Sequence, residues 1–274
     1  MVRATSLVTA IAALCAEAAA DAPSADELAW VLTAAEPRAT VVGDPDVGIA
    51  AVALHPEGAY LRLLAVHPRA RRRGHGRELL AEAEAVARAG GAPWLQVGAE
   101  APWYLWPGVD TAELGLLCLL ERARYTRVDS AWNMGVALAG LPHDPGGWRV
   151  ARGTDRDAID AWTQAHWVHW GAEMLRALAL GRLVVTSDDD GIAAACAYGV
   201  CRDRYVGPVA VRPDLLGRGS GQAALLGALH RMRAEGHKHA EISWVGPICP
   251  YVRVGATIDR ILSIQRKDLT VSRG

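Results

Sequence analysis

One phrase occurs twice in this 274-residue chain, and it limits the possible folds more than any other feature. Val66-His67-Pro68 leads into Arg71-Arg72-Arg73-Gly74-His75-Gly76, and Val211-Arg212-Pro213 leads into Leu216-Gly217-Arg218-Gly219-Ser220-Gly221. The valine, the proline and both glycines recur at one constant offset. Each phrase follows an apolar run and opens an apolar-periodic stretch, the pattern of a strand, a glycine-rich turn and a helix start. Two copies predict a duplicated domain: a first half over 1–140, a Gly- and Pro-rich connector over 141–147 and a second half over 148–274. Each half is long enough to build its own core.

The order of elements repeats as well. In the first half, helices over 5–34 break at Ala22-Pro23-Ser24, with Ser24 as N-cap of the second. Strands follow over 39–43, 47–54 and 60–66, then a helix from Gly74 with Leu79, Leu80, Ala83, Val86 and Ala87 on one face. A strand over 94–99, a loop rich in Trp, Tyr, Pro and Gly, a helix over 111–123 and a strand over 127–138 complete it. The second half reads as strand 148–152, helices within 155–180, and strands 182–186, 192–200 and 205–211. Helix 221–235, strand 239–245, helix 250–254 and strand 261–270 follow. The class is α/β: two domains, each a mixed central sheet flanked by helices, with the glycine turn at the end of a central strand.

Such a turn suits an anion. A helix start leaves amides unpaired and presents about half a positive charge, and glycines let the backbone approach oxygen closely. Arg71 can add a charge-assisted bond, whereas Leu216 holds its place in the second copy. Arginines cluster at 69, 71, 72, 73 and 77, yet the formal net charge is only −1. A local cluster in a near-neutral chain fits one small anionic ligand and argues against nucleic acid as partner. The dinucleotide fingerprint fails, because Leu79 and Ala224 stand where its third glycine belongs, and no Walker-type phrase is present.

The five cysteines (15, 118, 196, 201 and 249) have no metal-ligand spacing, so no metal is expected, and they read as reduced thiols of a cytoplasmic protein. Ser6 to Leu14 reads as part of a surface helix rather than a signal-peptide core, since one Arg precedes it and Glu17 and Asp21 follow. No apolar run approaches a transmembrane length, so no membrane association is expected.

The phrase V-x-P-x-x-[RQ]-x-x-G-x-G at a strand-to-helix junction resembles the signature of the GNAT-type acyl-CoA N-acyltransferases, and the element order is similar over nearly the whole chain. The Tyr104–Asp110 loop and Trp244-Val245-Gly246-Pro247 resemble a bacterial tandem subgroup of that family. The resemblance implies acetyl-CoA, or another acyl-CoA, as co-substrate. It places Leu64, Ala65 and Val66 along the pantetheine arm and Arg71, Arg72, Arg73, Gly74, His75 and Gly76 on the diphosphate. The second half offers Val209, Ala210 and Val211 for the arm, with Gly217, Arg218, Gly219, Ser220 and Gly221 for phosphate. A splayed strand at that place leaves a backbone N–H to polarise the thioester carbonyl.

An attacking amine must be neutral, yet with a pKa near 10 only about one molecule in a thousand is so at pH 7. Supplying that form costs about 4 kcal/mol, so a base or water chain is expected, and the leaving thiolate gains from an acid. Tyr251-x-x-x-Gly255 resembles the family's later helix, where a Tyr serves as acid; the residue also reads as packing. Leu120 occupies its place in the first half, where Glu100 and Tyr104 are the candidate base and acid. Glu100, Asp110 and Glu241 read equally as paired or capping carboxylates. Trp162, Trp167 and Trp170 around His166 and His169 read as an aromatic face packed on the sheet. Trp103, Tyr104 and Trp106 suggest either a cation-stacking wall or a structural lid.

These residues predict transfer of an acyl group to a primary amine of a small molecule, with the first half active. The alternatives are an acyl-CoA sensor without turnover and an aminoacyl-tRNA-dependent transferase, the latter disfavoured by the charge balance.

Overall fold

The repeat is spatial as well as sequential. A computed structural model describes residues 2–270, with side chains from residue 6 onward. The chain divides into two units, one running to Ala131 and resuming at Ile261, the other spanning Trp132–Arg260.

The first unit starts with α1 (Val2–Ala18) and α2 (Ala25–Leu28), which continues as a π-helical turn over Ala29–Ala34. Ser24 caps α2 as the sequence predicts: its Oγ accepts from Glu27 N at 3.2 Å, and Glu27 Oε2 accepts from Ser24 N at 2.7 Å. Strands β1 (Thr40–Asp44), β2 (Gly48–His55) and β3 (Gly58–Val66) form an antiparallel meander. Helix α3 (His75–Ala89) buries Leu79, Leu80, Ala83 and Ala87 at helical spacing against it. Strand β4 (Trp94–Val97) runs parallel to β3, and β5 (Val109–Asp110) and α4 (Leu114–Arg122) follow. Strand β6 (Thr126–Ala137) leaves the unit.

The second unit repeats the plan with β7 (Trp148–Val150), α5 (Arg156–His166), α6 (Gly171–Ala179), β8 (Leu183–Asp188), β9 (Gly191–Tyr198) and β10 (Tyr205–Val211). Helix α7 (Ser220–Ala234), β11 (His239–Ile242), α8 (Cys249–Val252) and β12 (Thr257–Asp268) complete the chain. Residues 141–147 carry no helix or strand. No described helix is long and apolar enough to cross a membrane.

One expectation is corrected. The sequence pattern closes each half with its own last strand, but the structure exchanges them. Met134–Ala137 of β6 pairs antiparallel with Ile242–His239 of β11 in the second unit. Gln265–Asp268 of β12 pairs with Val97–Trp94 of β4, and Leu262 and Ser263 pair with β5, in the first. Within the first unit the order is β1-β2-β3-β4-β12; within the second it is β6-β11-β10-β9-β8-β7. Each core is built over this borrowed strand: Leu269 joins the first cluster, and Met134, Val136 and Leu138 join the second.

Candidate functional site

In both units the central strands part beside the glycine turn. Strands β3 and β4 pair only from Ala59↔Leu95 to Leu61↔Val97, after a register shift in β3 near Arg62, so Leu64, Ala65 and Val66 have β2 on one side and no partner on the other. Strands β10 and β11 pair only at Tyr205↔Glu241 and Val206↔Ile242, with a register shift before Val209, which leaves Val209, Ala210 and Val211 in the same position. A bulge that aims a strand out of its ladder opens a slot for an extended ligand between the strands.

The turn follows at once. Gly74 caps α3 at φ 98° and Gly219 caps α7 at φ 95°, a left-handed conformation that costs glycine nothing. The second glycine of each pair serves packing. A Cβ on Gly76 would lie 3.2 Å from Leu119 Cδ2 and 3.8 Å from Val66 Cγ2, and one on Gly221 would lie 2.5 Å from Val211 Cγ2. The spacing of the repeated valine and glycine thus records one contact between strand and helix. Among the described residues, the amides of Arg72, Arg73, Gly74, His75 and Gly76 have no backbone acceptor, and neither do those of Gly219, Ser220 and Gly221. At a helix start such amides form an anion cradle.

Arg71 is engaged by two backbone carbonyls. Its Nε donates to Val66 O at 3.1 Å and its Nη2 to Ala18 O at 2.5 Å, so it ties the end of β3 to the end of α1. In the second unit Leu216 cannot cap the equivalent carbonyl, and Trp167 Nε1 donates to Val211 O at 3.1 Å instead. Trp167 stacks on Trp170 with centroids 5.0 Å apart, and His169 lies 4.7 Å from Trp170. This cluster sits between α5 and α6 at the end of β10, while Trp162 is buried in α5.

Glu100 is buried and fully engaged. Arg62 Nε donates to both carboxylate oxygens at 2.9 and 2.8 Å, Arg62 Nη2 donates to Oε1, and His55 Nε2 lies 2.8 Å from Oε1. Arg62 Nη1 also donates to Val31 O at 2.6 Å in the π-helical turn. A carboxylate so paired anchors the chain after β4 to β3. Asp110 likewise caps Ala112 N at 2.9 Å. Glu241 accepts from Arg204 Nε at 2.7 Å, Asn133 Nδ2 at 2.5 Å and Arg260 Nη1 at 3.4 Å, repeating the buried carboxylate–arginine pairing in the second unit.

The aromatic loop is pinned to the N-terminal segment. Trp106 Nε1 donates to Asp21 Oδ2 at 2.8 Å, Trp103 packs edge-on to Trp30 at 5.4 Å, and half-buried Tyr104 lies between them in sequence. Leu120 is fully buried in the first core. Its counterpart Tyr251 packs on the second core, and burial, with the Cys196 thiol as lesser cause, pushes its phenol up to about 12. It therefore stays protonated at neutral pH, available as a proton donor.

Arg62 and His55 escaped the sequence reading, although an arginine inside the apolar run of β3 was the available signal. Glu173 on α6 was missed too. It is half-buried, has no hydrogen-bond or ion-pair partner among the described residues, and burial pushes its carboxyl up to about 8. The neutral form is favoured in the folded state, so stability present below the ordinary carboxylate range is lost as pH rises towards 8. Replacement by Gln is expected to flatten a loss of about 2 kcal/mol between pH 5 and 8, after discounting for solvent screening. Urea midpoints measured across that range check this; parallel curves for the two proteins would refute it.

Residues 7–101 match the model of the acetyltransferase (GNAT) family. No curated protein matches the chain in sequence. Among solved structures, a GCN5-related N-acetyltransferase from Sphaerobacter thermophilus is 22% identical, with a TM-score of 0.68 over 97% of this chain and 94% of that one. A tandem GNAT protein from the clavulanic acid biosynthesis pathway is 18% identical, with a TM-score of 0.70 over 98% and 95%. The glucosamine N-acetyltransferase region of a fungal multi-domain GH3 beta-N-acetylglucosaminidase is 19% identical, with a TM-score of 0.71 over 89% of this chain; the match spans 35% of that protein. The fold is a tandem GNAT fold.

Proposed function

From residues 7–101, which carry the sequence of the acetyltransferase (GNAT) family, we infer that the protein moves an acetyl group from acetyl-CoA to a primary amine of a small molecule, with the first unit active. The observation that carries this reading is the slot beside β3 opening directly onto the unpaired amides of 72–76. The diphosphate lies on those amides, with the cationic side chains of Arg72 and Arg73 beside them. The pantetheine arm runs along Leu64, Ala65 and Val66, and a backbone N–H of that strand polarises the thioester carbonyl. The amine attacks that carbon, the tetrahedral intermediate collapses, and the C–S bond breaks.

Tyr104 supplies the proton to the leaving thiolate, since Leu120 leaves the first unit without the counterpart of Tyr251. Solvent takes the amine proton, because Arg62 and His55 occupy Glu100. Glu100 keeps a positioning part, holding the chain after β4 to β3. The second unit supports the fold and keeps Tyr251 as a proton donor.

A second reading, binding without turnover, draws on Leu120 being buried where the second unit presents Tyr251. Thiol release from acetyl-CoA across a panel of small primary amines separates the two. Stimulation by any amine supports transfer. Calorimetric binding of acetyl-CoA with no stimulated release by any of them would leave the sensor reading standing.

A further inference from the structure

The connector folds back on the C-terminal half of α7 and encloses with it a cleft of about 470 Å³. Three contacts build the connector wall. His230 Nε2 donates to Pro142 O at 3.1 Å, which ties the connector to the helix. Asp144 Oδ1 accepts from Gly146 N at 2.9 Å and from Trp148 Nε1 at 2.7 Å. The Trp148 ring lies against α7 at Gly227, where a Cβ would come within 2.6 Å of Cδ2.

The helix wall departs from its copy in the first unit. Both helices run 15 residues from their glycine turns, so α7 has His230, Arg231 and Arg233 where α3 has Ala85, Val86 and Arg88. An arginine in a last turn ordinarily answers the helix dipole and a carboxylate one turn earlier. Arg88 does so, with Glu84 Oε2 at 3.0 Å. Leu229 stands in the place of Glu84 in the second unit, and Arg233 has no ion-pair partner among the described residues. Its Nη2 donates to His230 Nδ1 at 2.9 Å. With Nδ1 accepting and Nε2 donating, that imidazole is neutral. Arg231 is matched by Glu235 at 3.0 Å, although its buried Nε has no hydrogen-bond partner.

Asp144 is the one carboxylate lining the cleft among the described residues. Its Trp148 and Gly146 bonds, with the nearby histidines as lesser causes, hold its carboxyl below the ordinary range. The Arg233 guanidinium therefore faces the cleft without a matching charge, with His143 on the opposite wall. Leu141, Pro142 and Trp148 give the same space an apolar side. Its volume is that of a small-molecule pocket, beyond the needs of a bare ion. A guanidinium fork matches a carboxylate in shape and charge.

We propose that this cleft binds a small organic carboxylate with an apolar body, its charge on Arg233 and His143 and its body on Leu141, Pro142 and Trp148. No residue of either glycine turn lines it, so its fate does not depend on the activity inferred above.

The test titrates hexanoate and benzoate into the full chain by calorimetry and by melting, with acetate, inorganic phosphate and benzamide alongside. Saturable binding of hexanoate or benzoate with a rise in Tm is expected, at least tenfold tighter than acetate, phosphate or uncharged benzamide. Arg233→Gln is expected to weaken it at least tenfold and His143→Ala at least threefold. Both side chains are exposed, so both variants are expected to melt close to the parent without ligand. Arg88→Gln, the same change in the first unit, is expected to leave affinity as it was. Absence of saturable binding by both carboxylates, affinity unchanged in Arg233→Gln or in His143→Ala, equal weakening by Arg88→Gln, or equal binding of any of the three comparison compounds would each overturn the proposal.

Discussion

Gly74→Glu is expected to weaken acetyl-CoA binding at least 100-fold in a calorimetric titration, while Gly219→Glu leaves it within about twofold; 100-fold corresponds to about 2.7 kcal/mol. The substitution puts a carboxylate at the mouth of the cradle, where the diphosphate's own charge would lie, and cancels the field of the α3 terminus. Sterically the fold tolerates it, because the nearest atoms to a Cβ there are Glu78 Oε1 at 3.5 Å and Arg77 Nη2 at 3.9 Å. The left-handed backbone at φ 98° adds a strain of about 1–2 kcal/mol, too little to unfold a domain of ordinary stability. A circular dichroism melt of the same sample separates lost binding from lost folding. Retained binding in Gly74→Glu together with loss in Gly219→Glu would move the acyl-CoA site to the second unit.

Arg62→Ala is expected to destabilise the first unit by about 3–5 kcal/mol, the cost of stranding one charge of a buried pair. Arg62 has no exposed side-chain surface and Glu100 only 4%. Removing the guanidinium leaves that carboxylate with His55 alone and strips the Val31 carbonyl of its donor. The damage is to a joint, since Arg62 connects the central strand β3, the start of the aromatic loop and the π-helical turn. Replacing both partners with leucine is expected to recover much of the loss, because no buried charge is then unmatched. Equilibrium urea unfolding of Arg62→Leu, Glu100→Leu and the double variant measures the coupling. Additive losses would mean that the pair contributes no mutual energy.

The fold class was legible because the repeated phrase carries its own mechanics. Val66 with Gly76, and Val211 with Gly221, face each other across a strand–helix contact, so their spacing survives divergence elsewhere. Helix α3 was legible from the periodicity of Leu79, Leu80, Ala83 and Ala87, and Ser24 from its Glu27 partner. The exchange of β6 and β12 was not, because alternation specifies which face of a strand is buried and says nothing about its neighbour. The clue was their length: both run to 12 residues, about twice a typical strand. At the site, the turn residues were recognisable, but Arg71's commitment to two carbonyls and Glu100's to Arg62 depend on contacts distant in sequence. Trp167's bond to Val211 O likewise crosses 44 positions.

The borrowed strand also sets a timetable. Trp94–Val97 gains its outer neighbour only from Gln265–Asp268, about 170 positions later in the chain. At a synthesis rate of about 5–20 residues per second, the earlier edge waits on the order of ten seconds on the ribosome. During that interval β4 is an uncovered template for pairing with another nascent chain. A protein so interleaved cannot mature one half at a time.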